Sequence, residues 1–221
     1  MNLSFGILPV TLHWLASIVF LFVLAAAFYT APLKRLREGE QLHVFLGSVV
    51  LLMLLWQMKA GLAAGLYYHL LGGTLFTLMF GWQLAFMGLT IVLAGSTLNG
   101  IGDWPTFAVN SLIMAGIPIL ITHWLLRFAV RHMPHHFFVY VLFNAFFCGG
   151  LAMGATVVTA SLLLACCSAY TLHELANDYL IFAPLMVFAE GFFSGMLAAG
   201  MAIMRPEWIS TFDEHRYITG K

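Results

Sequence analysis

Seven apolar stretches, parted by short polar or glycine-rich breaks, fill most of the chain. They cover about residues 7–29, 42–58, 62–80, 82–98, 105–127, 137–165 and 179–204. Most approach the roughly 20 residues that a helix needs to cross a bilayer. None reads as the short alternating segments of a membrane barrel. The pattern predicts an all-α, polytopic membrane helical bundle of about seven transmembrane helices. Gly81 marks a tight break between the third and fourth, and Pro105 suits the first turn of the fifth. With no internal repeat and no linker, residues 1–221 read as one membrane domain. Its last segment, 205–221, carries Trp208, Phe212 and Tyr217 among charges and reads as a tail lying at the interface.

The basic residues orient this bundle. With seven spans and the N-terminus outside, Lys34, Arg35, Arg37, Arg127, Arg131, Arg205, Arg216 and Lys221 fall on the cytoplasmic side, and only Lys59 falls outside. The positive-inside rule favours that arrangement, and an even number of spans would scatter the charges. No basic residue precedes the first stretch, so it reads as a retained span with Met1 kept, and not as a cleaved signal. Composition agrees with the membrane reading. Of 221 residues, 62% are hydrophobic and 8% charged, against roughly 25% charged in soluble domains. The formal net charge of +0 gives no reason to expect a nucleic-acid partner. Glycine pairs at Gly61/Gly65, Gly150/Gly154 and Gly191/Gly195 suit close helix packing in lipid.

A few polar groups stand out against this background. In Tyr67-Tyr68-His69-Leu70-Leu71-Gly72-Gly73-Thr74 an imidazole sits on the outer part of the expected third helix. His69, Gly73 and Thr77 would share one face, with His69 roughly 10 Å below the helix start. An imidazole at that depth takes a hydrogen-bond partner or a ligand. If a ligand, nitrogen chemistry suits nickel, cobalt, copper or zinc. Asp103, in the loop before Trp104-Pro105, reads either as the turn's cap or as a carboxylate behind a metal ligand. Glu190, near the middle of the seventh stretch, costs at least about 2.5–3.5 kcal/mol if charged. It is either hydrogen-bonded within the bundle or part of a cation path. His132-Met-Pro-His135-His136 reads as a helix start more readily than as a metal tract. Cys148, Cys166 and Cys167 form no C-x-x-C and read as packing residues. Signatures of nucleotide-binding P-loops, zinc proteases and serine hydrolases are missing, so the chain reads as a non-enzyme.

The opening Met1-Asn2-Leu3-Ser4-Phe5-Gly6-Ile7-Leu8-Pro9 resembles the start of the CbiM/NikM permeases of cobalt and nickel uptake, which begin Met-His-Ile-Met-Glu-Gly-Phe-Leu-Pro. His69 with Gly72-Gly73-Thr74 resembles that family's histidine and the small residues behind it. Gly102-Asp103 and Asn110 resemble its glycine-rich loop and following asparagine. The likeness spans nearly the whole chain. It extends to a shorter proteobacterial branch of predicted permeases through Phe138–Phe147, the stretch from Glu190 to Met196, and the ending from Arg205. The resemblance implies a metal set of Met1 (amine), Asn2 (backbone nitrogen and side chain) and His69. It further implies a second transmembrane coupling subunit and ATPase subunits of an energy-coupling factor transporter, in the cell inner membrane among its lipids. Asn2 and Phe5 depart from the family's histidine and acidic residue. His13 is the candidate substitute ligand, with Asp103 and Glu190 in the same second rank. Two other functions stay open on these residues: a membrane metallochaperone or assembly factor with a degraded metal site, and a haem protein with histidines such as His13 and His69 as axial ligands.

Overall fold

The computed structural model describes residues 3, 6–58, 60–63, 66–215 and 217. Met1, Asn2, Phe5, Lys59, Gly65, Arg216 and Lys221 lie outside the described residues. Six helical stretches make the bundle: α1 (Val10–Thr30), α2 (Gln41–Gln57), α3 (Gly73–Leu98), α4 (Trp104–His132), α5 (Phe137–Cys166) and α6 (Leu172–Met204). All but α2 are long and apolar enough to cross a membrane. The bundle sorts its side chains for lipid. Phe22 is 75% exposed and Trp14 71%, while Thr74, Asn110, Asn144 and Glu190 are buried. Apolar atoms meet the acyl chains, and polar ones find partners inside.

Helix starts follow their sequence signals. Pro105 lies in the first turn of α4. Thr171 and Glu174 form a reciprocal capping box at the start of α6, which satisfies amides that the first turn leaves open. The His132–His136 tract is a helix boundary: the His136 ring nitrogen Nδ1 accepts from the Phe138 amide at 3.2 Å. Helices α5 and α6 approach through glycine. A Cβ added at Gly191 would stand 2.7 Å from the Phe146 carbonyl oxygen, so the Gly191/Gly195 pair sets backbone contact in lipid. Gly61, by contrast, lies in a strand paired with Tyr67 and serves no helix packing.

Gly81 reverses the chain inside α3. Its φ of 80° and ψ of 165° fall in a region that only glycine occupies readily. A Cβ added at Gly88 would meet the Phe76 ring at 2.8 Å, and one at Gly73 would meet Leu89 at 3.8 Å. In one straight helix those partners would be about 18 and 24 Å apart at 1.5 Å per residue. The arms 73–80 and 82–98 therefore lie side by side, as the break at Gly81 leads one to expect. Replacing Gly81 with alanine should destabilise the protein by about 1–3 kcal/mol, the range for such backbone strain. The space around it is open, the nearest atom being Gln83 Oε1 at 3.7 Å. Thermal unfolding in detergent measures the loss.

The third expected span is different. In place of a helix over 62–80 there is an antiparallel hairpin, β1 (Ala60–Ala63) with β2 (Leu66–Tyr68), then an irregular turn, and helix only from Gly73. His69 therefore precedes the helix, shares no helical face with Gly73 and Thr77, and sits at no helical depth. The physical reason is that side chains replace the helical ladder here. The Leu71 and Gly72 amides and the Leu71 carbonyl all bond to side chains from other elements, and Gly72 turns through φ +69°.

The tail also differs from expectation. Ile209, Phe212 and Tyr217 are buried, and Phe212 packs against Tyr140 with centroids 4.9 Å apart. The reversal at Gly81 leaves the last carbonyls of arm 73–80 without helical donors. The tail supplies them: the Ser210 amide donates to Met79 O at 2.9 Å and the Thr211 amide to Leu78 O at 3.3 Å.

Candidate metal-binding site

Three helices converge on the turn 69–72. His69 is buried. Its Nδ1 lies 3.1 Å from the Leu70 carbonyl oxygen. The Trp56 indole, from the end of α2, packs against the imidazole with centroids 4.7 Å apart. Trp56 Nε1 donates to the Leu71 carbonyl at 3.4 Å. From α6, the Glu190 carboxylate accepts the Leu71 amide at 2.7 Å and the Gly72 amide at 2.8 Å, one on each oxygen. From α4, Pro118 lies so near that a Cβ at Gly73 would stand 2.6 Å from it. One turn further on, the Thr74 and Thr122 hydroxyls bond at 2.8 Å.

The hairpin ahead of the turn is fixed to α6. Tyr68 stacks on Tyr179 at 4.4 Å, and its hydroxyl donates to the Tyr179 carbonyl at 3.0 Å.

The start of the chain enters the bundle at the same end. Leu3 is 1% exposed. Its amide donates to Asn110 Oδ1 at 2.9 Å, and its carbonyl accepts from Asn110 Nδ2 at 3.2 Å. One side-chain amide thus satisfies both backbone groups of Leu3, as a neighbouring strand would. Asn110 is held in turn by the Thr106 hydroxyl at 3.2 Å. Gly73 packs on Pro118 and Thr74 on Thr122, and Tyr140, just beyond the end of α4, bonds Thr211 beside Leu78, so α4 ends near Gly81 and runs in the same direction as arm 73–80. Asn110 lies eight residues above Pro118, about 12 Å along α4, and His69 lies above Gly73. Both mark the end of the bundle opposite Gly81.

The remaining sequence candidates fall as follows. Met1 and Asn2 lie outside the described residues. His13 is half-buried on α1, where its carbonyl accepts from Ser17 Oγ at 2.7 Å. Asp103 is exposed at the N-cap of α4. Its carbonyl, not its carboxylate, makes the turn, accepting the Thr106 amide at 3.2 Å and hydroxyl at 2.9 Å. Both Glu190 oxygens accept backbone amides, as the hydrogen-bonded reading expects. Among the described residues no three His, Cys, Asp or Glu side chains converge as a metal cluster. Trp56 and Leu3 were not visible as site residues in the sequence. A tryptophan at a helix end and a leucine near a terminus carry no chemical signature.

A bundle of apolar helices, with a buried imidazole turn and an inserted N-terminal segment, defines a multi-pass membrane protein. Residues 2–208 match the CbiM family model, described as the cobalt uptake substrate-specific transmembrane region. The chain belongs to the CbiM family. It is a membrane component of metal uptake, a transporter part and not an enzyme. Two crystal structures share the fold. One, of a truncated transition metal transporter, aligns with a TM-score of 0.69 and 19% identity over 94% of this chain and 99% of that one. The other, of a transition metal transporter, gives 0.65 and 20% over 91% and 88%. Curated proteins offered no match.

Proposed function

We propose that this chain is the substrate-binding membrane subunit of an energy-coupling factor transporter that takes up nickel or cobalt. The ligand set is the Met1 amine, the Asn2 backbone nitrogen and side chain, and His69. The observation that carries this reading is the insertion of Leu3 on Asn110, at the end of the bundle that holds the His69 turn. Two residues extend at most about 7 Å beyond Leu3. Nitrogen donors with a deprotonated amide favour nickel or copper over oxygen-seeking cations.

On this reading the chain crosses the inner membrane seven times. The hairpin and arm 73–80 make the third pass, the N-terminus is outside and the C-terminus cytoplasmic. Six described basic residues support the orientation: Lys34, Arg35, Arg37, Arg127, Arg131 and Arg205 sit at or just after helix ends that lie toward Gly81, as the Gln83–Thr30, Tyr140–Thr211 and Thr211–Leu78 bonds locate them. A second transmembrane subunit couples this domain to ATPase subunits, which supply the nucleotide site that the sequence lacks.

A peptide extension ahead of Met1 tests the ligand set. Calorimetry should show nickel binding with a free N-terminus and none with the extension in place, restored when a protease removes it. Nickel binding of equal strength with the extension present would refute the amine ligand. Asn2 and Phe5, which stand where the family has a histidine and an acidic residue, favour a second reading: an assembly factor with a weakened site. Metal accumulation by cells with and without the protein separates the two.

A further inference from the structure

The segment from His69 to Phe80 is gripped at both ends by one piece of chain. At the His69 end, Glu190 of α6 accepts the Leu71 and Gly72 amides at 2.7 and 2.8 Å. At the Gly81 end, about 12 Å further along the arm, the tail that follows α6 holds the exposed carbonyls. There Leu78 O accepts the Thr211 amide at 3.3 Å and hydroxyl at 2.8 Å, and also the Ser210 hydroxyl at 3.3 Å; Met79 O accepts the Ser210 amide at 2.9 Å. The Tyr140 hydroxyl sits 2.6 Å from Thr211 Oγ1 and locks that residue in turn. Between the grips the arm is fully buried, from Gly73 to Phe80. A turn with so few backbone bonds of its own keeps its shape through these contacts.

We infer that Glu190 and Thr211 are positioning residues for metal binding: together they fix the height and rotation of the 69–80 segment, and so the place of the His69 imidazole. Neither touches the metal. Glu190 sets the turn directly. Thr211 acts through the rigid arm, so a contact at the cytoplasmic end reaches the outer site. The inference rests on the metal-binding reading above, but its first test does not.

Glu190→Gln keeps the size of the side chain, retains one acceptor and turns a donor toward the second amide. In the metal-free full-length protein, hydrogen exchange at Leu71 and Gly72 should rise about tenfold or more, while exchange along α6 stays as in the wild type. In calorimetry with nickel chloride the same variant should bind about tenfold more weakly. Thr211→Val, which deletes the hydroxyl bonds to the Leu78 carbonyl and to Tyr140 but keeps the backbone amide bond, should weaken nickel severalfold with helix content unchanged in circular dichroism. Wild-type exchange and wild-type nickel affinity in Glu190→Gln would overturn the inference. So would amides at Leu71 and Gly72 that exchange at the free-peptide rate in the wild type. Wild-type nickel affinity in Thr211→Val would overturn the role of the cytoplasmic grip. If the wild type binds no nickel, the metal-binding reading fails, and the exchange experiment still decides whether Glu190 holds the turn.

Discussion

Alanine in place of His69 should abolish measurable nickel and cobalt binding. The loss should exceed the about 10–100-fold that follows from removing a group behind a metal ligand, because the imidazole is itself a donor atom. The fold should survive. The imidazole lies beside its own neighbour's carbonyl and packs on Trp56, while the Glu190 bonds are made to the Leu71 and Gly72 backbone amides and do not pass through the ring. Loss of binding with an unchanged melting temperature in detergent would support the ligand assignment. Retained binding would move the site elsewhere. Loss of both would leave the chemistry to the extension experiment.

Leucine in place of Asn110 should have the second largest effect. Leucine matches asparagine in outline but leaves the Leu3 amide and carbonyl unpaired in the interior. Each orphaned group costs about 1–3 kcal/mol. The N-terminal segment would leave its seat at that cost, and any ligand group carried by residues 1 and 2 would leave with it. At 1.4 kcal/mol per decade, nickel affinity should fall by about tenfold at the least. Helix content should stay constant, since Asn110 bonds only Leu3 and Thr106 among the described residues. Binding titrations, with circular dichroism as the control, measure both effects.

The contrast between α3 and the turn ahead of it shows what the sequence can disclose. Gly81 punctuates two apolar runs, and its backbone angles need a glycine, so local chemistry is enough to place the reversal. Residues 62–72 are just as apolar and read as helix. At the turn, the Leu71 and Gly72 backbone groups bond to Trp56 and Glu190, and the Tyr68 hydroxyl reaches the Tyr179 carbonyl; Glu190 and Tyr179 stand more than 100 residues away in the chain. No periodicity encodes such partners. The same holds for the tail: Trp208, Phe212 and Tyr217 look interfacial until the reversal at Gly81 exposes carbonyls that Ser210 and Thr211 can satisfy.

At the candidate site, His69 and Glu190 are conspicuous as polar groups in apolar surroundings. Their pairing is not. Asn110 was visible only as a resemblance to a family position, and its bonds to Leu3 give that position a physical task. Glu190 was recognised as costly to bury. Its two backbone donors show how the bundle offsets that cost and why the carboxylate belongs near the imidazole turn.

A crystal structure of the nickel-loaded protein, phased on nickel anomalous scattering, tests the central claim most directly. The account predicts one strong peak within bonding distance of both the Met1 amine and a nitrogen of His69, at about 2 Å as for other nitrogen-bound metals. A peak beside the histidines of the His132–His136 tract, or a nickel more than a bond length from either ligand, would contradict it.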